Sequence, residues 1–337
     1  MMLKHYRSSI VFTVIAVALG FWIGGPATAF LVLMLGVLET SLSFDNAVVN
    51  ARVLNGWDEV WRRRFIVWGI PIAVFGMRVV FPILIVCVTL SMSPWAVTVM
   101  ALDRPAEYAA NLSAVHHQVA GFGGAFLMMV GLTFFFEEKD IYWFKFVEDK
   151  LTKFGQIESI VAATTLVTLL VLSGLYDDAR HGEQFLVAGL VGVIAYIITH
   201  GLGTVLGAEE DDTGSTIVKA GVAGFLYLEV LDASFSFDGV IGAFALTNYL
   251  PIIALGLGVG AFFVRSMTLH LVEAGTLAEY RYLEHGAFYA ILALATLMFA
   301  SGLGLHLPEW ITGLLGGAII AGSVWHSHVL NKKENAS

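Results

Sequence analysis

Charge is scarce in this chain and cysteine is nearly absent. Asp, Glu, Lys and Arg supply 13% of its 337 residues while apolar residues reach 58%, and the mean hydropathy is +0.80. A soluble domain carries about 25% charged residues, so the shortage argues against the two soluble domains that the length alone would allow. The lone cysteine, Cys87, cannot form an intrachain disulfide and lies in an apolar run as a small core residue. Positive charge is also lacking: the net charge is −9 and the pI about 5.5, which argues against a nucleic-acid partner. Strict alternation over strand-length segments is missing, which disfavours a β-barrel. The glycines form no phosphate loop in strand context. Neither G-x-G-D nor G-x-S-G occurs, so no intramembrane protease, and no enzyme, is expected.

What the chain does have is long uncharged runs, such as 8–38 and 160–176. Runs near ~20 apolar residues match a bilayer core. The reading is an all-α polytopic membrane protein of about ten transmembrane helices, near 9–25, 28–50, 65–91, 119–136, 159–175, 185–206, 217–246, 250–272, 286–304 and 308–326. The start, "MMLKHYRSS" before an apolar run, reads as a retained signal anchor because a second apolar run follows at once. With both termini in the cytoplasm, fourteen of the eighteen Lys and Arg residues fall inside, and only Arg104 and Arg180 fall outside. The stretch 92–118 is expected to lie along the outer surface, with His116 and His117 as surface polar residues. The stretch 137–158 reads as a cytoplasmic interfacial amphipathic helix. "AEEDDTGS", 208–215, reads as a solvated acidic linker.

A phrase in the first half returns in the second. "VLETSLSFDNAVV", 37–49, resembles "EVLDASFSFDGVIGAF", 229–244. The alignment sets Glu39 against Asp232, Ser41 against Ser234, Ser43 against Ser236, Asp45 against Asp238, and Asn46 against Gly239. Downstream, "WGIPIAVFGMR" ends in Arg78 and "LGLGVGAFFVR" in Arg265, each with a glycine nine residues before the arginine. The chain therefore divides into halves 1–158 and 159–337, each with an acidic helix followed by an arginine helix. Five spans separate the copies, and an odd displacement inverts topology, so the acids are expected to meet near the bilayer midplane.

Five acidic side chains (Glu39, Asp45, Glu229, Asp232 and Asp238) face two intramembrane arginines, Arg78 and Arg265. An ionised carboxylate at the bilayer centre costs about 2.5–3.5 kcal/mol. Protons or a divalent cation can remove the excess charge, and a site that alternates between them is an antiporter. The donors are carboxylates, serine hydroxyls and the Asn46 amide, with no Cys or His in either motif. Hard oxygen ligands suit Mn²⁺, Ca²⁺ or Mg²⁺. The expected metal contacts are Glu39, Asp45, Asn46, Asp232 and Asp238. Ser41, Ser43, Ser234, Ser236, Glu229, Arg78 and Arg265 support them, the arginines by holding carboxylates and competing with the cation. The polar residues recur every second position, which either unwinds the helix locally or leaves it continuous with serines bonded to the preceding turn.

The pair "LETSLSFDNAVV" and "FSFDGVIGAF", each followed by an arginine helix, resembles the TerC family of integral membrane proteins, associated with tellurium resistance and manganese efflux. The resemblance runs from about residue 28 to 304, and the long 92–118 stretch and extra spans mark a divergent branch. It implies a bacterial inner-membrane protein that exports Mn²⁺ in exchange for protons, with ion contacts at Glu39, Asp45 and Asn46 in one half and Asp232 and Asp238 in the other. No resident cofactor is expected; the partners are a divalent ion, protons and the lipid bilayer. A Ca²⁺/H⁺ exchanger and a membrane scaffold for metal-resistance or metal-loading complexes are the alternatives. Copies of the chain or other membrane proteins are open as partners.

Overall fold

Gly24, Gly25 and Pro26 interrupt the first apolar run, and the chain turns back on itself there. Helix α1 is Met2–Leu42, with Gly24 (φ −147°, ψ 20°) and Gly25 (φ 74°, ψ −162°) outside helical geometry. The positive φ at Gly25 is one that side-chain-bearing residues avoid. The two arms lie together: a Cβ on Gly20 would sit 2.9 Å from Val32 Cγ2, whereas twelve residues of straight helix span ~18 Å. Both arms pack on α12, Leu250–Glu273. Ser9 Oγ lies 2.7 Å from Ser266 Oγ on the first arm, and Leu35 on the second arm covers Gly256.

The structure is a computed structural model that describes residues 2–157, 159–206, 220–275, 279–305 and 309–334. Every regular element among the described residues is helical, the economical solution where no water is present to satisfy backbone groups. After α1 come α2 (Phe44–Asn55), α3 (Glu59–Pro71), a π-helical stretch (Ile72–Val80) and α4 (Phe81–Leu90). Pro71 lacks an N–H and so removes one helical donor where the register widens. Then follow α5 (Pro94–Asp103), α6 (Pro105–Ala114), α7 (His116–Phe136), α8 (Lys145–Gly155), α9 (Ile160–Ser173), α10 (Ala179–Leu206) and α11 (Val222–Leu246). After α12 the described residues include α13 (Leu283–Gly302) and α14 (Glu309–Glu334).

Helix α7 is the most enclosed of the long apolar helices, with α10 and α13 packed against it. Its glycines allow this approach: a Cβ on Gly124 would stand 2.6 Å from Phe299 Cε1, and one on Gly131 2.5 Å from Leu292 Cδ2. The stretch 92–118, expected along the outer surface as a partly helical segment, is helical as the pair α5 and α6, followed by the start of α7. It buries Tyr108 and Leu112 in a cluster with Leu35, Val240 and Leu257, because one face of each short helix is apolar. Helix α8 does carry exposed aromatic and charged residues, including Phe146 and Lys150 3.9 Å apart. Its Glu148, however, is fully buried and accepts from the Trp143 and Phe144 amides and the Tyr289 hydroxyl, which fastens α8 to α13.

Trp22, Val88 and Phe30 are 83%, 81% and 63% exposed, an apolar surface that only lipid accommodates. The chain is a multi-pass helical membrane protein. Six helices are long and apolar enough to cross a bilayer, or seven if α8 and α9 form one bent span. Ten spans are not reached among the described residues. The two arms of α1 count as one helix, and α11 carries Glu229, Asp232 and Asp238. Helix α9 has 14 residues, ~21 Å of rise against a ~30 Å core. The acidic linker lies outside the described residues.

Gly256→Val should force α1 from α12 and lower the melting temperature in detergent, whereas Gly317→Ala, with nothing within 4 Å, should leave it unchanged. Equal melting temperatures for the two variants would refute this packing. Beyond the spans, burial among Phe134 and Phe135 pushes the Lys139 ammonium down to about 8 from 10.5. The unfolded chain therefore binds this proton more tightly, and unfolding free energy rises with pH between those values. The native chain should gain stability relative to Lys139→Met as pH climbs from 8 to 10; parallel melting curves would contradict it.

Candidate functional site

The two acidic phrases meet, and they meet antiparallel. A Cβ on Gly239 would lie 2.5 Å from Glu39 Oε2, while Asn46 Nδ2 donates to Asp232 Oδ1 at 2.6 Å. Local unwinding is not what brings them together. Between α1 and α2 only Ser43 leaves the helix (φ −105°, ψ 20°), and the Ser43 N–H to Glu39 O and Ala47 N–H to Ser43 O bonds persist at 3.1 and 3.2 Å. Helix α11 continues unbroken through 232–238. The serines explain the continuity: Ser41 donates to Val37 O and Ser234 to Val230 O, each at 2.9 Å, so backbone carbonyls of the preceding turn satisfy them.

At the centre is a small chamber of about 40 Å³. Asn46 and Asn50 stand one turn apart on one face of α2, and both amides donate to Asp232 Oδ1, at 2.6 and 3.0 Å. Their carbonyl oxygens, with Ser236 Oγ, are buried and have no hydrogen-bond partner among the described residues. Opposite, Arg78 on the π-helical stretch donates one Nη to Glu39 Oε1 and the other to Ala73 O at 2.5 Å. Arg265 completes the wall, and among the described residues it makes no ion pair. Glu39 and Asp232 are thus matched in number by Arg78 and Arg265 among the lining residues of the chamber.

A second cavity of about 700 Å³ lies on the other side of Glu39. Its floor is Glu39, Asp45 and Gly239, and its mouth holds Asp177, Asp178 and His181. Asp45 Oδ1 accepts the Asn46 N–H at 2.9 Å, and Oδ2 would stand 3.7 Å from a Cβ on Gly316, which lines this vestibule together with Asp45. His117, expected on the surface, is 9% exposed and bonds Gln184 at 2.9 Å, because α10 covers the start of α7.

The residues expected around one shared ion are divided between the two cavities. Glu39 and Asp232 share the chamber, with Ser43 and Ser236 beside them. Asp45 faces the vestibule, as does the exposed Ser41. Glu229 is buried near Gly69, and neither of its oxygens has a partner. The side chain of Asp238 lies outside the described residues. Among the described residues no three His, Cys, Asp or Glu side chains stand close enough to hold a metal ion by themselves. Any cation in the chamber must take amide and hydroxyl oxygens as well. Asn50 and Thr268, which also line the chamber, were not anticipated. Asn50 had a signal, an amide four residues after Asn46 in an apolar helix; Thr268 had none.

These features define a class: a helical membrane protein with a small polar chamber, lined by carboxylates and arginines, beside a larger cavity. The chain belongs to the family described as protein of unknown function DUF475, whose profile matches residues 44–334. Apart from Glu39 and Ser43, the chamber residues named above fall inside that range. No curated protein and no solved structure matches the chain.

Removing one partner of a buried ion pair leaves an uncompensated charge, which costs about 3–5 kcal/mol. Arg78→Met should destabilise the protein by that order in detergent unfolding, and adding Glu39→Gln should restore most of the loss. Additive losses in the double variant would show that the two side chains do not depend on each other.

Proposed function

We propose that this protein carries divalent cations across a membrane in exchange for protons, with Mn²⁺ as cargo and Ca²⁺ as the alternative. The observation that carries the reading is the chamber: three buried oxygens without partners, Asn46 Oδ1, Asn50 Oδ1 and Ser236 Oγ, gathered around the Asp232 carboxylate. Buried polar atoms are almost always satisfied, so acceptors left open together mark a place for a donor or a cation. All are hard oxygen donors, and the chamber has no thiol or imidazole among its lining residues.

Arg78 and Arg265 supply positive charge at the chamber wall. Arg78 is committed to Glu39, so Arg265 is the charge that withdraws when a divalent ion arrives. Glu229 takes the proton side of the exchange. An unpaired buried carboxylate is costly, and a bound proton removes that charge. The reciprocal contacts support an inverted repeat: under the alignment of the phrases, the Glu39–Gly239 contact maps onto the Asp232–Asn46 contact. The charge pattern supports cytoplasmic termini in a bacterial inner membrane, and the TerC resemblance points to export.

The test is ion flux in proteoliposomes holding the full-length chain. Native protein should move Mn²⁺ with proton movement in the opposite direction. Asp232→Asn and Asp45→Asn should each cut flux by about tenfold or more, a loss of at least about 1.4 kcal/mol. Native-level flux in the variant with both substitutions would end the proposal.

A further inference from the structure

The two cavities differ in one respect that matters for an ion: how much water each can hold. A site for one water needs roughly 10–15 Å³. On that measure the chamber, at about 40 Å³, has room for about three water-sized spheres. The vestibule, at about 700 Å³, is more than ten times larger. A divalent ion with its shell of six waters fits the vestibule and does not fit the chamber. The two spaces share Glu39 as a common wall.

Resting on the cation-carrier reading, we propose that the protein holds a hydrated cation at Asp45 and strips its water before passage into the chamber, so that Mg²⁺ is rejected. Asp45 suits the first role. Its Oδ1 is engaged by a backbone N–H, while Oδ2 stands beside Gly316, and both residues line a space wide enough for an ion that keeps its shell. Asp177 and Asp178 at the mouth raise the local cation concentration. The chamber suits the second role. Asn46 Oδ1, Asn50 Oδ1, Ser236 Oγ and Asp232 replace lost waters with protein oxygens.

The same geometry sets the selectivity. Mg²⁺ binds its waters tightly and requires near-ideal octahedral ligands at about 2.0–2.1 Å. Ca²⁺ accepts irregular sets of oxygens at about 2.3–2.6 Å, and Mn²⁺, also larger than Mg²⁺, releases water more readily. The chamber oxygens come from two separately packed helices, α2 and α11. Two of them are locked by the bonds their amide groups make to Asp232. Such a set does not contract into a tight octahedron.

Full-length protein in liposomes, loaded in turn with Mn²⁺, Ca²⁺ and Mg²⁺, tests this directly. Native protein should carry Mn²⁺ or Ca²⁺ at least tenfold faster than Mg²⁺. Asn50→Ala both enlarges the chamber and deletes a replacing oxygen; it should lower Mn²⁺ flux and narrow the Mn²⁺ to Mg²⁺ ratio at least fivefold. Asp45→Asn should raise the half-saturating Mn²⁺ concentration and leave that ratio unchanged. Should Asn50→Ala fail to fold, Ser236→Ala replaces it with the same expectation. Magnetic resonance of bound Mn²⁺ gives a second readout, with fewer coordinated waters in native protein than in Asp232→Asn. Mg²⁺ carried as fast as Mn²⁺, or a full water shell on Mn²⁺ in native protein, overturns the dehydration step while leaving the carrier intact. Flux of none of the three ions overturns both.

Discussion

The buried pair of Glu39 and Arg78 is the constraint around which the rest is arranged. Both side chains are almost inaccessible to solvent, and in such surroundings neither charge is tolerable without the other. The pair ties the end of α1 to the π-helical stretch across the interior. Its place exists because two glycines keep clear of it. Gly260 of α12 lies against the methylenes of Glu39, and Gly239 of α11 against its carboxylate. A methyl group at either position would occupy the space the carboxylate needs.

Around that pair the helices solve two opposed problems. Their outer faces carry Trp22, Phe30 and Val88 into lipid, while the interior must keep polar groups that lipid would reject. The backbone stays helical through nearly all of this, so the polar work is left to side chains and to the widened turn after Pro71. A kink of one residue at Ser43 is enough to aim Glu39 and Asn46 at the same helix, α11. At the opposite end of α7 from its histidines, Glu148 fastens α8 to α13 through the Tyr289 hydroxyl and the His285 ring, while the Trp143 and Phe144 amides hold it at the start of its own helix.

Much of the site was legible because an acid or an arginine in an apolar run has few reasons to be there. Glu39, Asp232, Arg78 and Arg265 announce themselves in this way. Asn50 is quieter, since an amide costs less to bury and only its spacing from Asn46 marks it. The division of the acids was not legible. Asp45 lies six residues from Glu39, and whether the two share a cavity depends on what fills the space between them. The alternation of polar residues misled in part, because serine hydroxyls bonded to the preceding turn mimic an extended pattern while the helix stays closed.

Composition and order alone determined that this chain lives in a membrane, that it is helical, and that two similar acidic phrases and two arginines lie in apolar stretches. Those conclusions follow from the cost of charge and of open backbone in hydrocarbon, which act on each segment independently of its neighbours. Only the tertiary structure decided which acids meet, that arginines balance them, and that a tight chamber and a wide vestibule stand on either side of Glu39. Cavity size and charge pairing are properties of surfaces brought together from distant parts of the chain. No single segment contains them.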